Sequence, residues 1–304
     1  MALGTDQVTI TTAATFIPEI WSDEIVAAYK KNLVAANLFK KMSFTGKKGD
    51  TVRIPSPTRG NASVKTANAQ VTLIAATETD KVINITSHYE YSRLIEDIVE
   101  VQALSSLRRF YTDDAGYALA KQVDSSLVQL GRGFNGGAGT AAYAGAYIGG
   151  DGTTAYNSGT PNASALTDAA IRRTIQRLDD NDVPMEGRFF MIPPSSRNTL
   201  MGLARYTEQA FVGEQGNNNT IRNGEIGNLY GIPVFVSSNC DTATGAARIC
   251  LLGHRDAAVL VEQVGVRSQT QYKQEYLGTL YTADTLYGVA ELRDNACFAL
   301  AVPA

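Results

Sequence analysis

The amino-acid sequence predicts an α+β protein, and three stretches carry that reading. Leu104, Leu107, Tyr111, Ala115, Leu119, Val123, Leu127, Leu130 and Phe134 recur at steps of three and four and hold one apolar stripe, which is the period of a helix. Residues 81–91 alternate strictly, with Ile83, Ile85, Ser87, Tyr89 and Tyr91 on one face and Val82, Asn84, Thr86, His88 and Glu90 on the other, which is the period of a strand. Residues 265–303 alternate again in a long β-rich tail.

Taken in order, residues 1–16 are Thr-rich and without periodicity, and they read as an extended arm whose order depends on what it lies against. Pro18 with Glu19, Asp23 and Glu24, followed by Trp21, Ile25, Tyr29 and Leu33 at helical spacing, predicts an amphipathic helix over 19–37. Gly46 to Asp50 breaks the pattern, and 51–55 is a short strand. Residues 56–72 hold no aromatic side chain and cannot make a core, so the strands at 51–55 and 81–91 flank a projecting polar β-arm. The stripe over 104–134 predicts a spine helix roughly 45 Å long, with Arg109, Asp113, Lys121 and Gln122 on its other face. Residues 131–162 read as a loop or loose β-excursion joining two parts of the protein. Thr167 is an N-cap before Asp168, Ile171, Ile175 and Leu178, in a helix stopped near Asp182 by Pro184. A buried strand at 188–192, a short helix through Leu203, a polar loop at 211–224, and strands at 231–237, 248–252 and 257–262 complete the second module.

With 304 residues the chain can bury a substantial core, and 44% hydrophobic against 19% charged residues excludes a wholly disordered chain. Against 30 acids stand 27 bases, a net charge of -3, so no global basic surface supports tight binding to nucleic acid. Cys240, Cys250 and Cys297 are odd in number and match no metal or redox spacing, and they read as buried reduced thiols. The N-terminus has neither the basic start nor the apolar run of a signal peptide, which predicts synthesis and action in the cytoplasm. The longest uncharged stretch, 133–150, is mostly Gly and Ala with few large apolar residues, so no transmembrane helix and no membrane partner are expected.

No chemistry-bearing constellation emerges. Gly131-Arg-Gly-Phe-Asn-Gly satisfies the dinucleotide pattern but follows a helix instead of a strand, so Gly131 reads as a helix stop. Gly46-Lys-Lys-Gly-Asp-Thr lacks phosphate-loop spacing and reads as a turn. His88 and His254 stand alone, and Asp179-Asp180-Asn181-Asp182 lacks the glycine and distal glutamate of a calcium loop and reads as a solvated helix end. We therefore expect no enzyme activity, no cofactor, no metal and no catalytic residue.

The order of these segments resembles that of tailed-bacteriophage major capsid proteins, with the Hong Kong 97 phage coat fold. The resemblance is carried jointly by Phe-Ile-Pro-Glu-Ile-Trp-Ser from Phe16, Lys-Gly-Asp-Thr-Val-Arg-Ile-Pro from Lys48, Ala-Lys-Gln-Val-Asp from Ala120 and Phe-Met-Ile-Pro-Pro from Phe190. Asn-Gly-Glu-Ile-Gly-Asn-Leu-Tyr-Gly-Ile-Pro-Val-Phe-Val-Ser-Ser-Asn from Asn223 and Gly-His-Arg-Asp-Ala-Ala from Gly253 extend it over nearly the whole chain. It implies an N-terminal arm and helix at 1–44, an extended β-loop at 45–90 reaching over a neighbour, a peripheral domain at 91–135 and 262–304, and an axial domain at 136–261. It further implies pentamers and hexamers of this chain in an icosahedral shell around double-stranded DNA, packaged without sequence specificity, in a virion assembled in the host bacterial cytoplasm. A portal is an expected partner, a cement protein an optional one. Few residues precede the first helix, so scaffolding is expected to be a separate protein. The arm tip carries Arg59 and Lys65 and no acid, which makes it a cationic reach toward carboxylates such as Asp113 or Asp114 on a neighbour. An encapsulin-like compartment is the alternative with the same fold. A phage tail or adhesin subunit is the alternative from another class, disfavoured by the spine helix.

Overall fold

A computed structural model describes residues 33–57, 60–71, 73, 78–98, 107–203 and 227–304. The first described element is a single helical turn, α1 (Ala35–Leu38), followed by strand β1 (Lys40–Ser43). The helix expected over 19–37 does not reach its end unbroken: Val34 leaves helical geometry at φ -126° and ψ -26°, while 19–32 lie outside the described residues. The break has a physical use. It frees the Ala35 N–H, which donates to Asp124 Oδ1 at 2.7 Å in the interior; in an unbroken helix a carbonyl four residues back would take it.

Strands β2 (Thr51–Pro57) and β3 (Glu78–Asn84) pair antiparallel from Thr51↔Asn84 to Pro57↔Glu78 and form the arm. The register is centred on the turn at Ala67 and Asn68, where Asn68 takes φ 61° and Ala69 N–H donates to the Thr66 carbonyl at 3.2 Å. The alternating run 81–91 is not one strand. It divides at Ile85 and Thr86 into β3 and β4 (Ser87–Glu96), which belong to different sheets. Ile83 and Ile85 are pinned against Val259 and Val261, and the crossing is close enough that a Cβ on Gly288 would lie 2.5 Å from the Asn84 carbonyl oxygen. Only glycine leaves room there.

The spine helix α2 (Leu107–Gln129) continues into a 3-10 turn at Leu130–Arg132, and Leu104 lies outside the described residues. The α-helix ends at Gln129, and Gly131, read from the sequence as its stop, lies within the 3-10 turn, where it packs closely: a Cβ there would stand 2.8 Å from Leu251 Cδ2. After a loop holding β5 (Tyr147–Ile148) comes α3 (Asp168–Asp180), whose Thr167 cap accepts Ala170 N–H. Strand β6 (Arg188–Ile192) is buried throughout. Helix α4 (Pro194–Met201) begins with proline at its first position and ends two residues before Leu203. The expected loop at 211–224 lies outside the described residues. The remaining strands are β7 (Asn228–Leu229), β8 (Ile232–Val236), β9 (Thr242–Ala243), β10 (Ala247–His254), β11 (Ala258–Lys273), β12 (Gly278–Glu291) and β13 (Cys297–Pro303).

Two larger sheets result. The seven-stranded one runs β5-β13-β10-β6-β8-β7 with β9 on β10, and the four-stranded one runs β1-β11-β12-β4. In the first, alternate residues feed two separate cores. Phe190, Ile192, Cys250, Leu252, Phe298 and Leu300 pack with Ile171, Leu178 and Leu200 of α3 and α4. Phe189, Met191, Ile249, Leu251, Cys297 and Ala299 pack with Leu127, Val128 and Phe134 at the end of the spine helix. A strand apolar on both faces must lie inside such a sandwich. This is why β13 joins the seven-stranded sheet, although the sequence reading groups 262–304 with the spine helix, and the tail divides between the two sheets. The four-stranded sheet packs Tyr281 and Ala283 against Ala115 and Leu119 of α2, so the spine helix bridges both sheets.

Candidate assembly surface

The candidates for chemistry resolve into structure. His254 is buried, its Nδ1 accepting Asp256 N–H at 3.2 Å, so its proton sits on Nε2, which faces the Glu186 carbonyl at 2.8 Å. His88 is exposed on β4, Nε2 at 3.2 Å from Asp284. The three cysteines are free and buried, and burial pushes the Cys250 thiol up to about 12, far from a reactive thiolate. Among the described residues no group of three or more His, Cys, Asp or Glu side chains could hold a metal ion, and no helix is long and apolar enough to cross a membrane. Asp179, in the acidic run, holds Arg188 at 2.7 Å.

Surfaces are more informative. Every described residue from 60 to 73 is exposed, including Val64 at 98% and Leu73 at 88%. The turn at 67–68 is in register with the ladder below it, yet no ladder joins 60–66 to the described residues of the returning leg. The distal arm thus presents backbone donors and acceptors, and apolar side chains, that the described chain does not use. Lys65 is exposed on this leg; Arg59 lies outside the described residues.

The expected counter-charges are on the first turns of α2. Asp113 is exposed. Asp114 is engaged within the chain, accepting the Tyr91 hydroxyl at 3.0 Å, while Arg93 Nε donates to Tyr91 at 3.1 Å and its guanidinium lies over the Tyr111 ring at 5.0 Å. The odd residues of β4 therefore face the spine helix. Its even residues face away with Asp284, which binds Arg267 through two hydrogen bonds of 2.8 Å. That guanidinium, with a smaller contribution from His88, holds the Asp284 carboxyl below its usual range.

Two buried polar junctions escaped the sequence reading. Asp124 is fully buried on the spine helix, accepting from Ala35 N–H and from Asn239 Nδ2 at 2.9 Å. The available signal was an acid placed one turn before Val128, among the apolar positions of the Ala-Lys-Gln-Val-Asp run. Asp241 takes Arg132 through Nε at 2.7 Å and Nη2 at 3.1 Å, together with the Tyr143 hydroxyl at 2.8 Å. Burial and the Asp241 charge push the Tyr143 phenol well up. Both junctions fasten the spine helix and its following turn to the segment before β10.

Comparison with known proteins places this geometry. The family model described as phage capsid protein matches residues 95–296. No curated protein sequence matches the chain. Among solved structures, Mycobacterium phage Che8 aligns at TM-score 0.75 and 23% identity, covering 94% of this chain and 97% of that one. The capsid of cyanophage P-SCSP1u aligns at TM-score 0.77 and 19% identity, covering 99% and 96%. The mature capsid of bacteriophage PhiM1 aligns at 0.70 and 14%, covering 94% and 92%. Similarity at these identities is similarity of fold, and it runs the length of each chain.

Proposed function

Because this chain belongs to the phage capsid protein family and is a major capsid protein, we propose that it closes an icosahedral shell from pentamers and hexamers around double-stranded DNA. The observation that supports this most directly is the arm, whose described distal residues, 60–71 and 73, are all exposed and joined to one another by no ladder. Ordering such a segment carries an entropy cost of about 1 to 2 kcal/mol per residue, and a neighbouring subunit is what would offset it. In this reading the four-stranded sheet and the spine helix form the peripheral part, and the seven-stranded sheet the axial part. The arm, with Arg59 and Lys65, crosses to a neighbour's peripheral layer, where Asp113 and Asp114 lie on the spine helix. A separate scaffolding protein and a portal complete assembly in the host cytoplasm, with a cement protein as an optional addition. The DNA is contents and not a sequence-read ligand, since the net charge is -3.

Electron microscopy of the full chain expressed with its scaffolding protein tests this. Closed shells with five-fold vertices are expected. Compact monomers at high concentration, with scaffolding and native ionic conditions supplied, would overturn it.

A further inference from the structure

We propose that the outer edge of β4 is a strand-addition site, and that its occupant is the first leg of the arm, residues 59–65, of a second copy of this chain. The proposal rests on the arm-docking reading above and specifies where the arm lands.

The edge is open. Strand β4 is terminal in the order β1-β11-β12-β4, and all ten of its residues pair with β12 on one side and with no described strand on the other. Long exposed edges are templates for further pairing, and proteins ordinarily shorten, bend or cover them. Strand β4 has no proline, and its pairing with β12 shows no bulge. The candidate occupant has the reciprocal property: residues 60–66 are exposed and in no ladder, so strand addition supplies what both lack.

Charge then selects the register. Glu90 and Glu96 are exposed on the face of β4 turned away from the spine helix, six residues apart. Arg59 and Lys65 are also six residues apart. Side chains six apart on a strand share a face, so one alignment brings both opposite-charge pairs together on the exposed face. Run antiparallel, Arg59 meets Glu96, Lys65 meets Glu90 and Ser63 meets Ser92. On the helix-facing side Val64, exposed at 98% in the subunit, then falls opposite Tyr91, a β-branched and aromatic pair of the kind that stabilises sheets. Run parallel, the partners exchange, so that Arg59 meets Glu90, Lys65 meets Glu96 and Ser63 meets Leu94. By contrast, Asp114 already accepts the Tyr91 hydroxyl on the opposite face.

The test is charge reversal with rescue in the full chain. Glu90→Lys with Glu96→Lys should leave subunit melting unchanged, since both are exposed, and lower shell yield roughly tenfold; adding Arg59→Glu with Lys65→Glu should restore it. If the arm reversal instead rescues Asp113→Lys with Asp114→Lys, and not the β4 pair, the arm docks on the helix and this inference fails while the arm-docking reading stands. If neither acidic pair affects shells and deletion of 60–70 is also silent, the arm-docking reading fails with it. A second measurement is independent of charge. Ser63→Cys should form intersubunit disulfides in assembled shells with Ser92→Cys or, for the parallel alignment, with Leu94→Cys. The native cysteines are all buried and do not compete. Bridging in either pair supports strand addition; bridging in neither overturns it.

Discussion

Asp124 shows how much can depend on one side chain. Its carboxylate is fully buried, and two donors point at it: the amide that opens α1 and the side-chain amide of Asn239. A buried carboxylate is tolerated only when such donors are present. Replacing it with alanine leaves both unsatisfied, so Asp124→Ala should destabilise the free subunit by about 3 kcal/mol in denaturant melts. Asp124→Asn, which keeps an acceptor, should lose less; equal losses would mean that packing volume and not hydrogen bonding matters here. Asp284 makes a pH argument. Its carboxyl is held below the usual range by Arg267 first and His88 second. A depressed folded value means the stabilisation is fully present above the ordinary aspartate range near ~4 and is lost as pH falls through the folded value. The denaturant midpoint should therefore drop on acidification below ~4 more steeply in the native chain than in Asp284→Asn. Parallel curves would show that the ion pair adds nothing. Gly253 is a third such residue, in which absence of a side chain matters. A Cβ there would lie 2.5 Å from Cys297 Cβ and 2.8 Å from its Cα, so Gly253→Ala must push two paired strands apart, costing roughly 1 to 3 kcal/mol in a thermal melt.

At the scale of elements, the spine helix gives the sharpest contrast between two neighbouring positions. Leu119 is buried with Ala115 against Tyr281 and Ala283, whereas Gln122 is only half-buried and reaches Ser126 at 3.5 Å. Leu119→Asp places an unpaired carboxylate in that contact and should abolish soluble subunits or shells, while Gln122→Asp should assemble. Equal shell yields would mean the stripe faces elsewhere. The helix was legible because its apolar period persists through Ala115, Leu119 and Leu127, and α3 because Thr167 caps it and Pro184 follows it. Strand β6 was legible from its unbroken apolar run. What escaped is what neighbours in space decide. The division of 81–91 into β3 and β4 depends on Gly288 and on Val259 and Val261, some two hundred positions away. The transfer of β13 to the seven-stranded sheet depends on both of its faces finding cover. The strand expected at 257–262 and the start of the β-rich tail expected from 265 join into one strand, β11, because β12 pairs with both parts despite exposed side chains. Of the candidate interface residues, periodicity put Asp113 on the exposed face, but it could not reveal that Tyr91 engages Asp114.

For the whole molecule, the question is which parts the subunit needs for itself and which it holds out for others. The two cores that sandwich the seven-stranded sheet include no described residue of the distal arm, nor does the small cluster at the arm's base, where Ile83, Val52 and Ile54 pack with Val259 and Val261. The ladder from Thr51↔Asn84 to Pro57↔Glu78 closes below the tip. Deleting 60–70 therefore shortens a hairpin above its last pair and removes no buried side chain. The subunit should melt within about 0.5 kcal/mol of the native one, as surface changes usually do. Assembly is different, because each arm contact is repeated at every subunit of a closed shell. Individual surface pairs contribute only ~0 to 1 kcal/mol, yet the repeated sum separates shells that survive denaturant from those that do not. Shell yield and resistance to denaturant should both fall in the deletion while far-ultraviolet circular dichroism of the free subunit stays native. Unchanged shells would mean the arm is a solvated loop whose two cations only keep it soluble. An unfolded subunit would mean the arm belongs to the core after all, and that the boundary drawn at Pro57 and Glu78 is misplaced.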